Sequence, residues 1–138
     1  MQPKYWSIDS LPGIMQPEQE ILKQAQINHT NELLSRTRTI QSKKNLANQL
    51  KLNQKYINKW VVLAELACIP SVGHQYCGLL LHAGIASVAQ LSQTPFGRLH
   101  SQVLRLQVAT FQKKDLAPSL EQVKQWVDEA KLLQNQLR

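Results

Sequence analysis

The sequence predicts an all-α fold built from two tandem copies of one helical unit sharing a single core. Three observations carry that expectation. Apolar residues recur at helical spacing, as at Val123, Trp126, Val127, Ala130 and Leu133, which lines one side of a helix with a core-facing stripe. No segment shows sustained strand alternation between hairpin turns. The chain also matches itself. Moved by 58 residues, 11–33 falls on 69–91 without a gap, pairing Pro12 with Pro70, Leu22 with Leu80, Ala25 with Ala83, Ile27 with Ile85 and Leu33 with Leu91. The match continues through Leu46 with Leu104 and Leu50 with Val108. It resumes at an offset of 66, where Ile57 meets Val123, Trp60 meets Trp126, Val61 meets Val127, Ala64 meets Ala130 and Leu66 meets Leu132. Small helical units that cannot bury their apolar faces alone stabilise each other in this way. The expected organisation is one domain over 1–138, with unit one at about 8–66 and unit two at about 67–134.

Within each unit the order predicted is a hairpin, a short helix, a second short helix, a longer connection and a tryptophan helix. In unit one the tryptophan helix carries the stripe Ile57, Trp60, Val61 and Ala64. In unit two Gly84 suits a helix end before Ile85, and Ser87 with Gln90 forms the next cap. Thr94-Pro95 marks a further start, with proline where its missing N–H costs nothing. Ser119 with Gln122, just after Pro118, starts the last helix near residue 120.

Composition narrows the function classes. A hydrophobic share of 43% supports a real core, and scarce aromatics with five glycines fit a helical chain. No apolar run reaches about 18 residues, so no transmembrane helix is expected. The opening MQPKYWSIDS lacks the apolar stretch of a signal peptide, and two cysteines make no disulfide framework; both point to a reducing, cytoplasmic setting.

Charge is unevenly spread. Residues 33–114 hold eleven basic side chains and one acid, Glu65, whereas both flanking segments are slightly acidic. Such a central excess fits an anionic partner, whether nucleic acid, an acidic protein surface or lipid head groups; the plain alternative is a solubilising face. Lys44, Lys51, Lys55 and Lys59 are spaced seven, four and four, and on a continuous helix they would form one stripe. Lys43, Arg36 and Arg38 extend it upstream, and Arg98, Arg105, Lys113 and Lys114 extend it in the second copy.

The segment Ile69-Pro70-Ser71-Val72-Gly73 resembles the turn of a helix-hairpin-helix, whose pattern is apolar-Pro-Gly-apolar-Gly with a small residue four positions on, here Cys77. Such turns aim backbone N–H groups at phosphate from the start of a helix. The paired segment Leu11-Pro12-Gly13-Ile14-Met15 keeps the first glycine and lacks the second. It is followed by Glu18 and Glu20, which would repel phosphate, so its expected role is structural. After Gly73 come His74, Gln75 and Tyr76 without a fixed positive charge, which leaves a phosphate contact at Val72 and Gly73 secondary to the lysines.

Cys68, His74 and Cys77 also raise metal or redox chemistry. Their spacing matches no common zinc pattern, and Cys77 already serves as the small residue of the turn. The expected reading is packing, with no metal and no cofactor. His29, His82 and His100 stand apart from any nucleophile or carboxylate constellation, so no catalytic residue is assigned and no enzyme expected.

The combination Trp60-x3-Ala64-x-Leu66-x2-Ile69-Pro70-x-Val72-Gly73-x2-Tyr76-x2-Leu79-Leu80-x2-Ala83-Gly84-Ile85-x-Ser87-Val88-x2-Leu91 resembles a cyanobacterial family of helix-hairpin-helix-like proteins known only as a domain of unknown function. Lys44-Asn45-Leu46 and Trp126-x3-Ala130-x-Leu132 are similar to its flanking segments, so the resemblance spans roughly residues 8–133. It implies a paired helix-hairpin-helix fold and, by analogy, DNA binding. The leading expectation is therefore sequence-nonspecific binding of DNA or RNA backbone through Lys43, Lys44, Lys51, Lys55, Lys59, Arg98 and Arg105. The alternative is an adaptor docking an acidic or apolar protein partner, with the hairpins (Pro12, Gly13, Pro70, Ser71, Val72 and Gly73) serving as corners.

Overall fold

The computed structural model describes residues 1–111 and 118–136, with side chains omitted at 108–111 and 136. Lys113 and Lys114 lie outside the described residues. Among the described residues a 3-10 turn at Ile8–Ser10 is followed by eight helices: α1 (Gln16–Gln24), α2 (Thr30–Ser35), α3 (Ile40–Leu50), α4 (Gln54–Ala67), α5 (Gly73–His82), α6 (Val88–Ser92), α7 (Phe96–Phe111) and α8 (Leu120–Gln136). Among the described residues the only β contact is an isolated antiparallel bridge between Ser7 and His29. The all-helical expectation holds.

Local chemistry sets the boundaries. Ser87 Oγ accepts from Gln90 N–H at 3.0 Å and starts α6, while the Gln90 side chain reaches back to Ala86 N–H. Ser119 Oγ accepts from Gln122 N–H at 3.1 Å and starts α8. Gly84, at φ +89, follows the end of α5. The longer connection expected before the Trp60 helix contains a full helix, α3, capped reciprocally by Thr39 and Ser42.

The continuous lysine stripe does not exist. Helix α3 ends at Leu50, Lys51 turns the chain in the left-handed region at φ 58, and α4 restarts behind Asn53, whose side chain accepts from Lys55 N–H. Lys44 therefore belongs to one helix, Lys55 and Lys59 to the next, and Lys51 to the corner between them.

The buried residues form one cluster running from Ile8 to Leu133. Both tryptophan helices contribute their predicted stripes: Ile57, Trp60, Val61 and Ala64 from α4, and Val123, Trp126, Val127, Ala130 and Leu133 from α8 are all buried. Each large apolar side chain of this set stabilises the fold by about 1.5–3 kcal/mol relative to exposure. Helix α4 packs on α2, α3 and α5, and α8 packs on α6 and α7. The N-terminal arm ties the halves together. Trp6 donates its indole N–H to Ala67 C=O at 2.8 Å, its backbone N–H bonds Thr30 Oγ1 at 3.0 Å, and Lys4 N–H bonds Cys68 C=O at 2.8 Å.

Candidate nucleic-acid interface

At the second hairpin, α4 ends at Ala67 and α5 starts at Gly73, whose φ of +56 makes the corner. Its backbone donors are engaged within the chain. Val72 and Gly73 N–H both donate to Ile69 C=O, at 3.0 and 2.9 Å. Ser71 N–H donates at 2.9 Å to Oε1 of Glu129, a buried carboxylate on α8. Gln125 Nε2 bonds the other Glu129 oxygen at 2.9 Å, and the Trp126 indole N–H donates to Ser71 C=O at 3.2 Å. A carboxylate of the chain thus occupies the acceptor position at Ser71 that a phosphate would take, and Pro70 carries no N–H to add.

Cys68 and Cys77 are buried and unbonded to each other, with Cys77 Sγ against His74 C=O at 3.7 Å. Burial pushes the Cys68 thiol up to about 12, helped by the nearby Glu65 charge, and the Cys77 thiol up to about 11. Among the described residues, no three His, Cys, Asp or Glu side chains gather closely enough to hold a metal ion.

The first hairpin is organised differently. Pro12 and Gly13 are exposed, with Gly13 at φ +80. Glu18, whose charge argued against phosphate here, turns back to accept from Met15 N–H at 3.2 Å and caps α1. Asp9 is paired with Lys23 at 2.8 Å, a bond that raises the lysine's pKa. A cation from elsewhere in the chain stands beside the turn: a Cβ built on Gly13 would meet Lys59 Nζ at 3.5 Å. Helix α4 therefore delivers Lys59 to the hairpin across 46 residues of sequence.

From this point a furrow crosses the surface of α5 in three adjoining hollows of about 110, 310 and 330 Å³, all bordered by His82. Gly78 and Pro12 border the first two; their contact is close, since a Cβ on Gly78 would stand 3.3 Å from Pro12 Cγ. Lys59 lines the smallest of the three, and α7 supplies Arg105 and Gln102 to the hollow of about 330 Å³. Gln75, Tyr76 and Gln107 line the hollow of about 310 Å³.

The predicted cations divide accordingly. Lys59 and Arg105 border the furrow. Lys55 lies one turn before Lys59 on α4, and Arg98 two turns before Arg105 on α7, both exposed. Lys44 and Lys51 are exposed on α3 and its corner, and Lys43 is half-buried on the side of Leu46 and Ala47; none of the three borders the furrow. Arg36 is engaged in the fold, with its guanidinium bonding Ala25 C=O at 3.1 Å and Gln49 Oε1 at 2.9 Å. Among the described residues no carboxylate forms an ion pair with Lys43, Lys44, Lys51, Lys55, Lys59, Arg98 or Arg105. The furrow residues that sequence reasoning did not assign to a site are Gln75, Tyr76 and His82 of α5 and Gln102 and Gln107 of α7; the two sets meet only through the packing of α5 on α7.

No helix among the described residues is long and apolar enough to cross a membrane. No curated protein and no solved structure matches the chain. Residues 12–133 do match a family profile, and with that span of the chain covered the protein belongs to the family described as DUF4332, a domain of unknown function.

Proposed function

We propose that this protein is a non-enzymatic, sequence-nonspecific binder of nucleic-acid backbone, built from two helix-hairpin-helix-like units. The duplication is supported by the element order. At an offset of 58, α1, α2 and α3 fall on α5, α6 and α7, and at 66, α4 falls on α8. Each copy pairs a proline-containing turn with a tryptophan helix: Gly13 lies against Lys59 of α4, and Ser71 against Glu129 of α8.

The observation that carries the functional reading is the furrow bounded by Lys59 and Arg105, two cations without an acidic partner among the described residues. Phosphate contacts of this kind supply affinity without base preference. The hairpins then act as corners, since the Ser71, Val72 and Gly73 N–H groups are engaged internally and the cation beside the first turn, Lys59, comes from α4. Fluorescence polarisation with a labelled oligonucleotide tests this. Lys59→Glu with Arg105→Glu is expected to weaken binding at least tenfold, and unchanged affinity would refute the furrow as the site.

One observation favours a second reading. A cleft of about 210 Å³ lined by Pro3, Tyr5, Leu34, Cys68, Val88 and Leu133 is mostly apolar, with Glu65 at its edge. An adaptor would dock an apolar segment there, and in that case Leu34→Asp abolishes complex formation while the charge reversals leave it intact.

A further inference from the structure

Resting on the nucleic-acid reading, we propose that the furrow takes a single strand, with one base seated against Tyr76 and Pro12 in its hollow of about 310 Å³. The hollow of about 310 Å³ differs from its neighbours by the Tyr76 ring, which stands with Pro12 and Leu79 as its apolar walls, while Gln75, His82 and Gln107 give it polar ones. Each of the other two hollows carries a cation, Lys59 beside the first hairpin and Arg105 on α7. An apolar and aromatic hollow with a cation in each neighbouring hollow matches a chain whose phosphates run along the outside and whose bases turn inward.

A duplex has no such complement for this surface. Its bases are stacked and paired, so the Tyr76 and Pro12 walls would face nothing, and only an outer phosphate could touch Lys59 or Arg105. Tyr76 is held for the purpose. It is half-buried, and its ring lies 5.1 Å from that of Trp126, itself bonded to Ser71 C=O. The ring is thus fixed before ligand arrives, which lowers the ordering cost of a stacked base. Gln75 and Gln107 each present both a donor and an acceptor, so they can meet the edge of any base and leave the site without sequence preference.

The test compares oligo-dT and oligo-rU strands of about 12 nucleotides with a duplex of matching length, each titrated against the full chain at low salt. Single strands are expected to bind at least tenfold tighter than duplex. Tyr76→Leu should remove most of that preference and Tyr76→Phe should keep it. Should Tyr76→Leu lose its helical circular dichroism, Gln75→Glu with Gln107→Glu supplies the second variant, with the same loss of preference expected. Equal or tighter duplex binding that still falls with Lys59→Glu would overturn the single-strand assignment and leave the backbone reading standing. Absence of binding to any of the three probes would overturn both.

Discussion

Glu129 of α8 accepts a hydrogen bond from the Ser71 N–H at 2.9 Å, joining the last helix to the turn between α4 and α5 across 58 residues. The carboxylate is buried, and its second oxygen is held by Gln125. Glu129→Ala leaves the Ser71 donor without its acceptor, which costs about 1–3 kcal/mol. Glu129→Gln keeps an oxygen for Ser71 and is expected to cost less than half as much. The Ser71 hydroxyl is buried without a partner among the described residues, so Ser71→Ala should be neutral or slightly stabilising. Urea denaturation of the three variants checks the order.

Two glycines separate strain from propensity. At Gly73 the φ of +56 and a Cβ position 3.1 Å from Trp6 Cζ2 both oppose a side chain. Gly73→Ala is expected to destabilise by about 1–3 kcal/mol. Gly97, in the first turn of α7, has open space around its Cβ position, and Gly97→Ala should stabilise by about 0.4–1 kcal/mol. Thermal melts of the pair should move in opposite directions.

Much of this organisation was legible in the sequence, because it is local. The stripes of α4 and α8, the caps at Ser87 and Ser119 and the left-handed Gly84 each depend on neighbours within a turn or two. What escaped depends on distant contacts or on an uncommon backbone. A lysine at φ 58 carries no sequence signal, so the break at Lys51 between α3 and α4 was hidden in evenly spaced lysines. Glu18 read as a charge repelling phosphate, yet it is spent on the Met15 N–H. Lys59 reaches the first hairpin, and Glu129 the second, only because α4 and α8 pack there. Ser71, standing where the hairpin pattern has glycine, is absent from the left-handed residues, which explains why its side chain is tolerated.

Trp6 fastens the N-terminal arm to both halves. Trp6→Phe keeps the edge contact with His74, at 4.6 Å between ring centroids, and loses the bond to Ala67 C=O. A loss of about 1 kcal/mol is expected. Trp6→Ala also vacates the space over Gly73 and should cost about 2–4 kcal/mol. Chemical denaturation with tryptophan fluorescence from Trp60 and Trp126 reads both.

The pH dependence has two sides. Burial raises the Cys68 and Cys77 thiols to about 12 and about 11, above their unfolded values. Their contribution is therefore complete below about pH 8.5 and is lost as pH rises toward the folded values. Native thiols should react with a disulfide reagent at least tenfold more slowly than unfolded ones at pH 8. At the acid side Glu32, lowered chiefly by the Asn28 N–H bond and next by His29, holds the start of α2. That contact is present above its unfolded value and weakens as pH falls through the lower folded one. Amide exchange at Asn28 and His29 should accelerate, relative to an unfolded reference, as pH drops below about 4.

The central claim is that Lys59 and Arg105, with Lys55 and Arg98 beside them, grip phosphates. Its most direct test is the salt dependence of affinity for a single strand of about 12 nucleotides. Four contacts predict a log–log slope of about −2 to −3, flattened by about 1 to 1.5 in the Lys59→Glu, Arg105→Glu double variant. No binding at a salt concentration on the order of 50 mM, or a slope that the double variant leaves unchanged, would contradict it.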